Sequence, residues 1–177
     1  KAELYDPSES GIQFLRAEIY TFQSQYDKAI AILKEMKIHI GQEEQEELLL
    51  QMGDVYEEWE KYKLLFECLN ECLSVNFSNE EALNRLGYAT ELSGMFEESV
   101  KLSLKLTDLL PFNHTVWYNL SLAYSGMGLI EKAIEAMEYA IAIDDKLDYA
   151  YRELASFNME IGRYDMAMEA IIDFTDL

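Results

Sequence analysis

The chain has 177 residues, half of them hydrophobic, and carries a formal net charge of −20 from 34 acidic and 14 basic side chains. That length and apolar content allow a continuous core. The acidic balance argues against a surface that binds nucleic acid or adsorbs to anionic membranes, and no stretch is long and apolar enough to cross a bilayer.

Taken in chain order, Leu4–Pro7 reads as the end of a helix, with Pro7 closing it. From Ser10, Ala17, Tyr20, Tyr26, Ala29, Leu33 and Met36 mark out two helical stripes, and two extra residues near Gly41–Gln45 precede the next such set. From Glu46 the marks fall on Met52, Gly53, Tyr56, Tyr62, Leu65 and Cys72, and from Glu80 on Leu86, Gly87, Gly94, Phe96 and Pro111. From His114 they fall on Trp117, Leu120, Tyr124, Gly128, Ala133, Met137 and Ala140. From Asp148 they fall on Tyr151, Leu154, Ala155, Gly162, Ala167, Ile171 and Phe174. Val116–Tyr124 places Trp117, Leu120 and Tyr124 on one helical face, and Ile130–Ile143 places Ala133, Ile134, Met137, Ala140 and Ile141 on another. Gly126 and Gly128 are expected to break the helix between them, and small residues such as Gly53, Gly87 and Ala155 to let paired helices approach closely. No run alternates apolar and polar residues as a strand would.

A motif that recurs every thirty-four residues specifies an array in place of a single core with one pocket. This one resembles the tetratricopeptide repeat, with its W-x2-L-G-x2-Y, A-x3-F and terminal Pro. The repeat from His114 fits best, departing at Ser121 (usually Gly) and Asp145 (usually Pro); the repeat from Glu80 departs at Ser99 and Ser103. The resemblance implies an all-α fold, a right-handed α-solenoid of stacked antiparallel helix pairs. It implies repeats at 10–45, 46–79, 80–113, 114–147 and 148–177, with 1–9 the tail of a preceding repeat, in a segment of a longer protein.

Chemistry is sparse. The chain has no phosphate loop, nucleophile elbow, H-E-x-x-H, dinucleotide fingerprint or EF-hand loop. Cys68 and Cys72 lie one helical turn apart, a poor geometry for a disulfide, and neither His39 nor His114 is near in sequence to complete a metal site. Buried, reduced thiols are expected, and with them a cytoplasmic setting. His39 suits a helix C-terminus and His114 a repeat boundary. Neither an enzyme nor a cofactor or metal site is expected; the expected role is a protein–protein interaction scaffold.

In proteins with this repeat the first helix of each pair lines a concave groove through fixed positions. Carried onto this sequence, those positions offer Glu47, Leu50, Asp54, Glu57 and Glu58 in the second repeat and Glu81, Asn84, Tyr88, Glu91 and Leu92 in the third. The fourth offers Thr115, Tyr118, Leu122 and Ser125, and the fifth Tyr149, Arg152, Ser156 and Met159. The acidic cluster at Glu43, Glu44, Glu46 and Glu47 also suits a helix start. The groove is thus expected to pass from acidic to aromatic and apolar, and its partner to be a peptide or protein with basic and apolar residues. Some family members hold a C-terminal carboxylate with a Lys and an Asn on one helix. Leu50 with Asp54, or Asn84 with Tyr88, stands in those places here, so recognition of that kind is not expected. The alternatives are a targeting module of a larger protein whose catalytic or DNA-binding part lies elsewhere, and a self-associating array joined through its end helices.

Overall fold

The computed structural model describes residues 7–41 and 44–175. Ten helices occur among them: α1 (Pro7–Phe22), α2 (Tyr26–His39), α3 (Gln45–Glu58), α4 (Tyr62–Val75), α5 (Glu80–Ser93), α6 (Phe96–Leu109), α7 (His114–Gly126), α8 (Ile130–Ile143), α9 (Asp148–Glu160) and α10 (Tyr164–Thr175). No strand occurs among the described residues. Residues 1–6, which carry most of the Leu4–Pro7 signal, lie outside them, and α1 already begins at Pro7, ahead of Ser10.

The chain divides into two compact units, Lys1–Ala82 and Leu83–Leu177. In the first, α1 packs with α2 and α3 with α4, and α2 lies against α3. In the second, α7 packs with α8 and α9 with α10, while α6 lies against α7 and α8 against α9. The protein is therefore all-α, an α-solenoid of adjacent helix pairs.

Burial follows the helical stripes. On α4, Leu65, Cys68, Leu69, Cys72 and Leu73 are buried, and Leu33, Met36, Leu48 and Leu49 of the first unit are sealed from solvent too. In the second unit Ile130, Ala133, Ile134, Met137 and Ala140 of α8 form one cluster with Leu147, Ala150 and Phe157, and Trp117, Tyr124 and Leu154 pack on it. Trp117 also stacks on Tyr139 with ring centroids 4.6 Å apart and donates its indole N–H to the Pro111 carbonyl at 2.9 Å. A single stripe on a short helix cannot stay dry alone, so each pair depends on its neighbours. α6 is less apolar: Ser99 and Ser103 fill core positions, Thr90 donates to Ser99 Oγ at 2.9 Å, and the Ser103 hydroxyl is buried with no hydrogen-bond partner.

Asparagines cap two of the helices. Asn113 Oδ1 accepts from Val116 N at 3.3 Å at the start of α7, and Asn79 Oδ1 accepts from Ala82 N at 2.9 Å at the start of α5. Glu46 of α3 holds the segment that follows α4 by accepting from Asn76 Nδ2 at 2.9 Å and Asn79 Nδ2 at 2.7 Å.

The turns inside the helix pairs share one device. Ser24, Glu60, Gly94, Gly128 and Gly162 all have left-handed φ, between 56° and 75°. At four of these turns the next residue's N–H reaches back to a carbonyl of the last helical turn: Gln25 to Tyr20, Lys61 to Tyr56, Leu129 to Tyr124, and Arg163 to Asn158, at 2.8–2.9 Å. This is the Schellman arrangement, and it normally recruits glycine because a Cβ crowds the left-handed conformation. Glu60 stands thirty-four residues before Gly94 and carries that Cβ. Glu60→Gly is therefore expected to stabilise the first unit by about 0.5–1 kcal/mol, the relieved strain exceeding the added freedom of the unfolded chain. A higher urea midpoint at unchanged slope is the result to look for, and Ser24→Gly should move it the same way.

Two local expectations are corrected. Gly126 does not break the helix; it is the last residue of α7, and the break falls at Gly128, with φ of 72°. Gly87 serves the approach of α5 to α7, the first helix of the next pair, not approach within its own pair: a Cβ there would lie 2.8 Å from Asn119 Oδ1 and 3.0 Å from Leu122 Cδ1.

Candidate partner-binding surfaces

The first unit has an open cavity of about 850 Å³ between α1 and α3. Phe14, Leu15, Leu50 and Val55 give it apolar walls, and Glu18, Glu46, Glu47, Asp54 and Glu81 stand around them. Among the described residues no basic side chain lines it. Of the acidic positions singled out from the sequence, Glu47 and Asp54 are both exposed and line this cavity; Glu57 is half-buried, Glu58 is exposed, and neither lines it. Gln51 closes the floor, with Nε2 donating to the Phe14 carbonyl at 3.1 Å. Glu18 and Phe14 escaped the sequence reading because the groove positions of the first repeat were not followed; the same ruler, corrected for the two extra residues, would have reached α1.

The second unit carries the aromatic positions. Tyr118 and Tyr149 are half-buried and meet edge to face, with ring centroids 4.9 Å apart and planes at 79°. Tyr88 and Leu92 are 47% and 45% exposed on α5, and Asn84 and Glu91 are exposed on the same helix. Arg152 is exposed on α9, its Nη2 3.9 Å from Asp148 Oδ2 one turn earlier. Leu122 departs from expectation. It is only 7% exposed, because Gly87 has no side chain and the Leu122 methyl fills that space. Asn119, on the same helix as Leu122, is buried and donates from Nδ2 to the Leu83 carbonyl at 2.7 Å.

The electrostatics of this cluster are acidic. Tyr118 has its hydroxyl pushed up to about 12, first by burial and then by Glu153 and Glu91. Glu91 has its carboxyl raised by burial and by Glu153. Tyr149 is raised by burial and by Asp144 and Asp148. Burial and unfavourable like charges both disfavour the ionised forms.

Elsewhere the sequence-marked groups are quiet. Cys68 and Cys72 are buried free thiols, pushed up mainly by burial to about 12 and about 11. His39 is the last residue of α2, and His114 Nε2 is 3.9 Å from Asp144 Oδ2. Among the described residues no group of three or more His, Cys, Asp or Glu could hold a metal ion. A smaller hollow of about 320 Å³, missed in the sequence, lies at the α1–α2 turn against Trp59, where Tyr26 stacks on the indole at 5.7 Å and Lys61 sits 5.4 Å from the same ring system.

Short helices in adjacent pairs and left-handed turns at Glu60, Gly94, Gly128 and Gly162, each thirty-four residues after the last, define a helical-repeat protein. The tetratricopeptide repeat model matches residues 46–79 and 114–147, so these two stretches are tetratricopeptide repeats. Among solved structures it is similar to MamA, residues 41 to the end, from Desulfovibrio magneticus RS-1, with a TM-score of 0.72 and 21% identity over 99% of this chain and 97% of that one. It is similar also to a MamA RS-1 ArsTM double mutant, at TM-score 0.72 and 20% identity over 98% and 96% of the two chains. A further crystal structure of MamA gives TM-score 0.68 and 22% identity over 90% and 92%. At these identities the likeness is one of fold. No curated protein matches the sequence.

Proposed function

We propose that the chain is a non-enzymatic scaffold that binds a peptide or protein segment along the first helices of its repeats. The observation that carries this reading is the open cavity between α1 and α3, with apolar walls and a rim of carboxylates. An extended segment with apolar and basic side chains matches both features, and its charge would steer association toward an acidic chain. The free thiols of α4 support a cytoplasmic setting within the same reading.

Isothermal titration with a capped peptide library that varies in lysine and leucine content tests it. Peptides rich in both should bind, and Glu47→Lys combined with Asp54→Lys should weaken them at least about tenfold and flatten the salt dependence. Binding that is blind to both substitutions overturns the assignment. A second reading, self-association through an end helix, draws on the exposed stripe of Ile12, Leu15, Ile19 and Phe22 on α1. Light scattering over a concentration series separates the two.

A further inference from the structure

The thirty-four-residue spacing, with the two extra residues before α3 counted, sets each helix in register with its counterparts in the other repeats. In the second unit one helix pair meets the next through Ile130, Ile134 and Met137 of α8 and Ala150 and Phe157 of α9, all buried in one cluster. In the first unit α2 lies against α3, and the α3 residues in register with Ala150 and Phe157 are Leu48 and Val55, again sealed from solvent. The contact between pairs thus has two dissimilar halves. One is a stripe on the second helix of a pair, and the other is a stripe on the first helix of the pair that follows.

Each half occurs once more, facing solvent. Ile12 and Ile19 of α1 stand thirty-six residues before Leu48 and Val55, yet they are 52% and 54% exposed. Tyr164, Met168 and Ile171 of α10 stand thirty-four residues after Ile130, Ile134 and Met137, and all three are exposed. Spacings of four and three residues put the α10 side chains on one helical face, as the spacing of seven does for Ile12 and Ile19. The opposite side of α10 is already in use, with Ala167 and Ala170 buried in a cluster with Ala155 of α9. Apolar stripes left bare at the ends of a repeat array need covering. Since one bare stripe is a second-helix half and the other a first-helix half, a single chain carries both sides of the contact that its own pairs use.

We propose that copies of the chain pair head to tail, the α10 stripe of one copy covering the α1 stripe of the next. The proposal rests on the self-association reading and deepens it. It is independent of peptide binding, because Ile12, Ile19, Met168 and Ile171 are not among the residues that line the cavity between α1 and α3. A contact between two different faces is heterologous, so it adds copies one after another and does not close a two-fold dimer. One helix laid on another falls at the small end of stable interfaces, below about 1,200 Å², and copies of charge −20 repel each other. Association is therefore weak, grows with concentration and is strengthened by salt, which screens the repulsion.

Two variants of the whole chain test the pairing by sedimentation velocity in about 0.5 M sodium chloride. Ile12→Glu with Ile19→Glu spoils the first-helix stripe, and Met168→Glu with Ile171→Glu spoils the second-helix stripe. Circular dichroism checks that each is folded, and the matching serine substitutions repeat the comparison wherever a glutamate pair unfolds its helix. The unaltered chain is expected to gain mass steadily as its concentration rises to about 1 mM. Each variant alone should sediment as a monomer. An equimolar mixture of the two should form a heterodimer and nothing larger, because one intact stripe of each kind remains. If the Met168 and Ile171 variant still dimerises, the head-to-tail pairing falls and self-association through α1 alone stands. If the unaltered chain stays monomeric at the highest concentration, both fall. Titrating the same variants with the peptide library decides the scaffold reading separately, since their cavity is unchanged.

Discussion

Alanine in place of Gly87 is expected to lower the unfolding free energy by about 1–3 kcal/mol, although alanine is the better helix former. Gly87 lies inside α5, where exchanging glycine for alanine normally gains about 0.5–1 kcal/mol. Here the new Cβ would stand 2.8 Å from Asn119 Oδ1 and 3.0 Å from Leu122 Cδ1. Neither neighbour has room to retreat: Leu122 is buried, and Asn119 is buried and tied by Nδ2 to the Leu83 carbonyl at 2.7 Å. Moving Asn119 strains or breaks that bond, and a buried amide and carbonyl left unpaired cost about 1–3 kcal/mol. The clash and the lost bond outweigh the gain in helix propensity. Gly11→Ala supplies the control of opposite sign, since Gly11 lies in α1 with nothing within 4 Å of its Cβ position. Chemical denaturation of both variants checks the pair: Gly11→Ala should raise the midpoint and Gly87→Ala should lower it. Equal effects would mean that the approach of α7 to α5 does not depend on the missing side chain.

Gly126→Ala should be destabilising by a comparable amount for a different reason. Its Cβ would lie 2.1 Å from Phe96 Cε1 and 2.2 Å from Cδ1, well inside the ring. Phe96 opens α6 and is half-buried, so the ring has to swing out and leave the contact between α6 and α7. Overpacking of this kind typically costs about 1–3 kcal/mol. Adding Phe96→Leu to Gly126→Ala should recover part of the loss, because the smaller side chain vacates the space the methyl needs. A double variant no more stable than Gly126→Ala alone would place the cost elsewhere.

Both cases mark the limit of what the sequence can tell. The helical stripes were legible because each is a local pattern: Trp117, Leu120 and Tyr124, or Ala133, Met137 and Ala140, fix which face of a short helix must be covered. The thirty-four-residue spacing then placed Gly94, Gly128 and Gly162 at turns. Gly87 is legible as a small residue and Gly126 only as a helix breaker, and which neighbour needs the space at each depends on helices distant in sequence. Leu122 was assigned to the groove by position alone, and it is buried because a residue thirty-five places earlier lacks a side chain. Glu60 and Ser24 show the reverse case. Their left-handed turns are imposed by the array although neither side chain favours that conformation, so local propensity gave no sign of them. At the candidate surfaces, the residue types Tyr118, Tyr149, Glu47 and Asp54 were legible, but the edge-to-face meeting of Tyr118 with Tyr149 was not.

The sealed thiols of α4 give the first unit a built-in clock. A thiol reacts as its thiolate, and Cys68 and Cys72 are both buried and titrate far above neutral pH. Alkylation must therefore wait for α4 to lift from its neighbours. Where closing is faster than labelling, the modification rate divided by that of an unstructured cysteine peptide equals the opening equilibrium constant. Both cysteines lie in Lys1–Ala82 and none in Leu83–Leu177, so the same reagent times the opening of one unit and is silent about the other.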